Sequence, residues 1–175
     1  MSYFEVFDIE EAFILNESDL KKRYYIKSRD FHPDHFTMAT DKEKEEALAQ
    51  STLINEAFKT LSDFDKRMEY ILNQNDMLKD SNNDIPQDFL MEMMDVNEEL
   101  FELEMDPDTE KVKKIKAQTE SIKNSIFNNI KSDIESYPTD NQDTNHNILG
   151  KVKDYYLKNK YLLRILDKIT KFASA

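Results

Sequence analysis

The sequence predicts an all-α fold in two parts, an N-terminal helical domain and a C-terminal three-helix bundle. One glycine and four prolines in 175 residues leave few of the residues that turns and hairpins need. Apolar residues recur at steps of three and four, and no run alternates with the period of two expected of a half-buried strand. The polar stretch from Asn73 to Asp84 breaks that periodicity and reads as a linker. The expected bounds are therefore a first domain over 1–73, a linker over 74–84 and a second domain over 85–175.

Each helix has a start, a face and a stop. Asn16 can cap a helix with Asp19 at its third position, carrying Leu20, Tyr24 and Phe31 until Pro33 ends it. Thr40-Asp41-Lys42-Glu43 reads as a capping box, and the helix behind it turns Ala47, Ser51, Ile54, Phe58 and Leu61 inward. Ser62 is expected to cap a short continuation with Met68, Ile71 and Leu72. Beyond the linker, Asp84 with Pro86 in the first turn opens a helix to about Met105, and Asp106-Pro107 opens the next. That one carries Val112, Ile115, Thr119, Ile122, Ile126 and Ile130 until Tyr137-Pro138 and a polar loop to about Asn147. A last helix presents Val152, Tyr155, Leu162, Leu166 and Ile169.

Composition excludes several kinds of chemistry. A lone Gly150 cannot build a dinucleotide fingerprint, a phosphate-cradling loop or a nucleophile elbow. Without cysteine there is no thiolate metal site, iron–sulfur ligation by the chain's own sulfurs or disulfide. A formal charge of −12 disfavours nucleic acid as a partner. The first residues lack a signal or transit pattern, and no apolar run approaches the roughly 18 residues of a membrane span, so an intracellular, reducing setting is expected and no membrane partner.

Three constellations remain. His32-Pro33-Asp34 follows a helix containing Lys21, Lys22, Arg23, Lys27 and Arg29, and proline biases His32 toward an extended backbone, holding an imidazole and a carboxylate in a tight exposed turn. Read alone, the tripeptide is a helix stop plus a cap, since Pro and Asp are the usual punctuation, and it is the context that points further. His32, Asp34 and His35 have a spacing reminiscent of metal ligands, but Pro33 stiffens the turn and nothing identifies a further ligand, so no metal or other cofactor is expected. In the second domain, Phe89, Met93, Val96, Leu100 and Leu103 form one stripe sufficient to seat a helix. Leu90, Met91, Met94, Phe101 and Met105 lie beside it, so the helix is either buried on a broad front or leaves part of that face exposed.

Charge is segregated along this region. Residues 84–110 hold eleven acids and no Lys or Arg, residues 111–135 six lysines to three acids, and residues 150–175 seven basic residues to two acids. An acidic helix packed between two basic ones accounts for part of this. Asp95 and Glu98 are placed by helical spacing to rim a patch around Leu90, Met91 and Met94.

The His-Pro-Asp turn behind a basic helix resembles the J domain of chaperone-regulating co-chaperones. Tyr3-Phe4-Glu5-Val6-Phe7, His32-Pro33-Asp34-His35-Phe36, the run from Ile54 to Leu61, Arg67-Met68-Glu69-Tyr70-Ile71-Leu72, Phe89-Leu90-Met91-Glu92-Met93-Met94 and Glu98-Glu99-Leu100 together look like the HscB branch, the co-chaperones of iron–sulfur cluster assembly. That resemblance implies a non-enzymatic co-chaperone that stimulates ATP hydrolysis by an HscA-type heat-shock chaperone through His32, Pro33, Asp34, Lys21, Lys22 and Arg29. It further implies that Leu90, Met91, Met94, Asp95, Glu98 and Ile165 hold an IscU-type iron–sulfur scaffold protein. A bacterial-type, cytoplasmic member is implied, since the N-terminal zinc-binding cysteines of some eukaryotic relatives are absent. Several positions depart from the pattern: Tyr25 and Ile26 stand where J domains keep polar or basic residues, Asp30 adds an acid before the turn, Lys27 replaces a core leucine and Phe64 a proline. A general J-domain protein with another client, and a helical adaptor whose turn is only structural, are the rival readings.

Overall fold

The computed structural model describes residues 1–78, 85–106 and 108–173, apart from the side chains of Glu104 and Ala173. Residues 79–84 of the expected linker, the expected cap Asp84 and Pro107 lie outside the described residues. The chain divides into two compact units, Met1–Asn75 and Asp76–Ala175, and the elements of both are helical, with no strand among the described residues. No described helix is long and apolar enough to cross a membrane.

The first unit is built on a helical hairpin. A short α1 (Tyr3–Val6) opens with a capping box between Ser2 and Glu5. Helix α2 (Glu17–Asp30) begins as expected, with the Asn16 side chain accepting from the Asp19 N–H at 3.1 Å. A single 3-10 turn (Pro33–Phe36) leads to α3 (Asp41–Leu61), whose box closes through Thr40 and Glu43. The cap of α4 (Phe64–Gln74) is Asp63, not Ser62, which still has helical dihedrals and ends α3. Phe4, Phe7, Phe13, Leu20, Ile54, Leu61, Met68, Ile71 and Leu72 are at most 2% exposed and form the core. Each such side chain contributes about 2 kcal/mol by leaving water. Of the expected inner face of α3, Ala47, Ile54 and Leu61 are buried, Ser51 and Phe58 are half-buried, and Ala57 joins them.

Polar side chains tie the segment around α1 to the hairpin. Arg67, 4% exposed, donates from Nε to the Phe13 carbonyl at 2.9 Å and from Nη1 to the Leu61 carbonyl. Burial lowers the pKa of this guanidinium, and the Glu17 and Asp63 carboxylates oppose the shift. Three residues on, the Tyr70 ring stacks on Tyr3 at 4.5 Å and its hydroxyl accepts from the Tyr3 N–H. Arg23 donates to the Phe7 and Asp8 carbonyls and to the Asp19 carboxylate. Lys27 does not enter the core: its ammonium reaches Asp8 at 2.8 Å while its stem stays partly covered. That hydrogen bond and charge hold the Asp8 carboxyl below its ordinary range, and Asp8 adopts a left-handed backbone (φ 53°) that Asp tolerates better than most residues.

The second unit contains the expected three helical layers with different boundaries. The first layer is two helices, α5 (Gln87–Glu92) and α6 (Met94–Met105), instead of one, and Pro86 precedes α5 as its extended N-cap instead of sitting in the first turn. At the break, Asn97 donates from its side chain to the Met93 carbonyl at 2.8 Å and to the Tyr161 hydroxyl at 2.7 Å. Helix α7 (Thr109–Ser136) is capped by Asp108, whose carboxylate accepts from the N–H groups of Glu110 and Lys111, a role expected of Asp106. Helix α8 (Gln142–Ala173) starts about six residues earlier than expected, because Asn141 accepts from the Thr144 N–H, and Asn145 and Thr139 bond each other across the preceding turn. The end of the unit nearest α5 and α6 is filled by Phe89, Met93, Val96, Leu100, Leu103, Val112, Ile115, Leu162, Ile165 and Ile169.

If Arg67 is the tie that holds Phe13 and Leu61, Arg67→Ala should lower the stability of the first unit by about 3 kcal/mol, the cost of losing charged hydrogen bonds in a buried place. Chemical denaturation followed by tyrosine fluorescence and circular dichroism reads this as an earlier transition. A change below about 0.5 kcal/mol would show the tie to be dispensable.

Candidate functional site

The first candidate surface is the end of α2 and the turn behind it. His32 has an extended backbone (φ −67°, ψ 133°) and caps the 3-10 turn, with its Nδ1 accepting from the Asp34 N–H at 3.3 Å. That contact engages one ring nitrogen, and Nε2 takes no part in the backbone bonding of the turn. The Asp34 carboxylate lies 3.5 Å from the same nitrogen and is 85% exposed, against 54% for His32. Helix stop and cap are thus real roles of the tripeptide. They use the backbone and one ring nitrogen, and leave the rest of the imidazole and a carboxylate largely exposed within one turn.

The cations of α2 divide into two sets. Arg23 and Lys27 are engaged with the α1 side of the unit, as described. Lys21, Lys22 and Arg29 are exposed; among the described residues Arg29 makes a long 3.7 Å contact with Asp30, and the Lys21 ammonium lies 6.0 Å from the Tyr25 ring centroid. The structure therefore brings Lys21, Lys22 and Arg29 to the outward face of the helix that leads into His32, Pro33 and Asp34. Beside the turn, Pro33, Phe36, Thr37, Lys44, Ala47 and Leu48 line a hollow of about 250 Å³.

The second candidate surface lies on α5 and α6. The stripe Phe89, Met93, Val96, Leu100 and Leu103 is at most 5% exposed and seats both helices. Its neighbours are not buried on a broad front: Leu90 is 38% exposed, Met91 70%, Met94 55%, Phe101 65% and Met105 77%. Within α6 a spacing of four joins Met94 to Glu98, with Asp95 next to Met94, and exposed Leu90 and Met91 stand just before the break at the end of α5. Phe101 and Met105 continue the row beyond Glu98. Their helical spacing was the available signal for including them with the patch.

The acids sort themselves by partner. Glu99 meets Lys114 at 3.0 Å and Glu102 meets Lys111 at 3.2 Å across the α6–α7 seam, and Glu102 raises the pKa of Lys111. Asp95 and Glu98 are exposed and have no ion pair among the described residues. They remain as solvated negative charge beside exposed methionines. Ile165 is placed differently from expectation. It is 4% exposed within the core beneath α5 and α6, because α8 turns Leu162, Ile165 and Ile169 inward on one stripe. Nearby, Tyr161 meets Phe89 edge to face and Lys158 lies 5.5 Å from the Phe89 ring centroid, bracing the base of α5.

Comparison with known proteins matches the two parts of the chain separately. Residues 2–70 match the DnaJ domain, and residues 85–170 match the family described as HSCB C-terminal oligomerisation domain. The co-chaperone protein HscB homolog of Haemophilus influenzae is 33% identical over 138 residues, covering 74% of this chain and 78% of that protein. The Vibrio cholerae homolog is 36% identical over 102 residues, which span 57% of this chain and 60% of the relative's length. Human co-chaperone protein HscB superposes with a TM-score of 0.73 at 26% identity, covering 98% of this chain and 81% of that one. The chaperone HscB from Vibrio cholerae has the same fold, with a TM-score of 0.71 at 23% identity over 99% of this chain and 98% of the other.

Exposure at the patch has a chemical readout that does not depend on any partner. In dilute hydrogen peroxide Met91, Met94 and Met105 should form sulfoxide before Met93 and Met68, which are at most 1% exposed. Peptide mass spectrometry of a time course measures this, and equal rates at Met93 and Met94 would contradict the exposed face.

Proposed function

The chain belongs to the HscB family of co-chaperones, and on that footing we propose that it serves iron–sulfur cluster assembly by bringing an IscU-type scaffold protein to an HscA-type heat-shock chaperone. The observation that supports this best is the presence, in one chain, of a solvent-facing His-Pro-Asp turn behind a basic helix and a methionine-rich face edged by carboxylates. In this reading His32, Pro33 and Asp34, with Lys21, Lys22 and Arg29, contact the ATPase and promote its hydrolysis of ATP. Leu90, Met91, Met94, Asp95 and Glu98 contact the scaffold. Ile165 supports that face from below instead of touching the client.

The division of chemistry follows from composition. In this reading ATP is bound and cleaved on the partner and the chain acts as a co-chaperone, and one glycine leaves it without the glycine-rich loops that cradle a triphosphate. Functional segments over 1–73 and 85–175, joined through 74–84, keep client and activator on one molecule. Tethering of this kind raises the effective concentration of scaffold at the chaperone without any new contact. The bacterial cytoplasm is the setting proposed, in keeping with the chain's bacterial relatives.

Asp34→Asn tests the first surface: the chaperone's ATP turnover, measured with this variant, should fall to the basal rate while its circular dichroism stays unchanged. In the same set of measurements the triple change of Leu90, Met91 and Met94 to Ala should weaken scaffold binding by roughly a hundredfold, the usual scale for removing a cluster of anchors. It should leave stimulation of the chaperone alone intact. Full stimulation by Asp34→Asn, or full scaffold binding by the triple variant, contradicts the corresponding half of the proposal.

A further inference from the structure

The outward face of α2 is not simply basic. At its centre stand Tyr25, 60% exposed, and Ile26, 54% exposed. Single exposed apolar side chains are ordinary, but these two are interleaved with the cations at helical-neighbour spacings. Lys22 precedes Tyr25 by three and Ile26 by four, and Arg29 follows Ile26 by three and Tyr25 by four. The four make one continuous diamond, apolar across its short diagonal and charged at both ends, immediately before the His32 turn.

Both apolar members are held ready for a contact. Tyr24 beneath the diamond stacks on Phe58 at 4.1 Å, its hydroxyl donates to Asn55, and its ring lies 5.5 Å from that of Tyr25. The Lys21 ammonium stands 6.0 Å from the Tyr25 ring centroid. Ile26 is β-branched, so its χ1 is already restricted in a helix. Anchors whose rotamers are limited before binding lose little freedom on docking, which is what makes an aromatic and a branched aliphatic residue effective at the centre of an interface.

We propose that Tyr25 and Ile26 are the apolar anchors of the chaperone-docking face, so that the matching surface of the ATPase is an apolar recess rimmed by carboxylates and not a uniformly acidic one. This rests on the function proposed above. Lys22, Arg29 and the turn orient the encounter, and the two anchors supply affinity that salt does not screen. Recognition is then selective for a chaperone carrying that recess, since a purely acidic surface would leave Tyr25 and Ile26 against water-binding groups.

The test uses the full-length chain and purified HscA-type chaperone in its ATP state, with affinity measured by titration at about 50 and about 300 mM KCl. The wild-type protein should lose only a few-fold in affinity over that range. Y25A/I26A should weaken binding by about thirtyfold at both salt concentrations. Y25K/I26R, which adds two cations, should also weaken binding; unchanged or tighter binding by it overturns the inference. Both positions are more than half exposed, and unchanged thermal midpoints serve as the check on folding. Asp34→Asn is assayed alongside. If it is inert and Y25K/I26R binds like the wild type, the anchor assignment alone fails. If Asp34→Asn stimulates normally, the chaperone reading fails and the anchor assignment falls with it.

Discussion

A guanidinium removed from water must satisfy its donors inside the protein, and Arg67 does so with two backbone carbonyls instead of a carboxylate. The acceptors are Phe13, in the connection before α2, and Leu61, at the end of α3. One side chain from α4 therefore fixes where α2 begins relative to the end of its hairpin partner. Arg23 and Lys27 complete the attachment from the other side by holding the carbonyls and carboxylate around Asp8. With its inner cations committed to this framework, α2 can direct only Lys21, Lys22 and Arg29 outward. The position of the His32 turn depends on the same framework, since it follows directly from the end of α2.

The second unit meets a different constraint. Its first helical layer has to bury one stripe against α7 and α8 while a second apolar row stays in water. The break at Met93 and the Asn97 side chain that bridges Met93 to Tyr161 hold the two short helices in place without covering Met91 or Met94. Ion pairs at the seam take up Glu99 and Glu102, so the negative charge left over is concentrated beside the exposed row. Burial of Ile165 belongs to the same arrangement: it fills the core against which Phe89, Met93 and Val96 pack.

Much of this was legible in residue order. Asn16 with Asp19 and Thr40 with Glu43 are caps whose geometry follows from residue type and spacing, and the steps through Phe89, Met93, Val96, Leu100 and Leu103 identified the buried stripe correctly. Other features had no local signal. Ser62 and Asp63 are both competent caps, and only the backbone decides between them. The break at Met93 contains no Gly or Pro, and the apolar steps run through it unchanged. Asn141 and Asn145 resemble loop residues in sequence because the same side-chain chemistry serves loops and caps. Whether Met91 and Met94 face water could not be read from spacing, since a broad buried face and a half-exposed one have the same pattern. Tyr25 and Ile26 were recognisable as departures, but only their exposure between Lys22 and Arg29 makes them an interaction surface.

Two surfaces of opposite charge on one chain explain why a net charge of −12 describes neither of them. In the proposed function both surfaces act together, one on an ATPase and one on its client. The most direct measurement is the chaperone's steady-state ATP turnover with this protein, with the scaffold, and with both. Synergy, in which the pair exceeds the sum of the separate effects, is the result expected of delivery. Strict additivity would contradict it and leave a J-domain protein whose second unit serves another client.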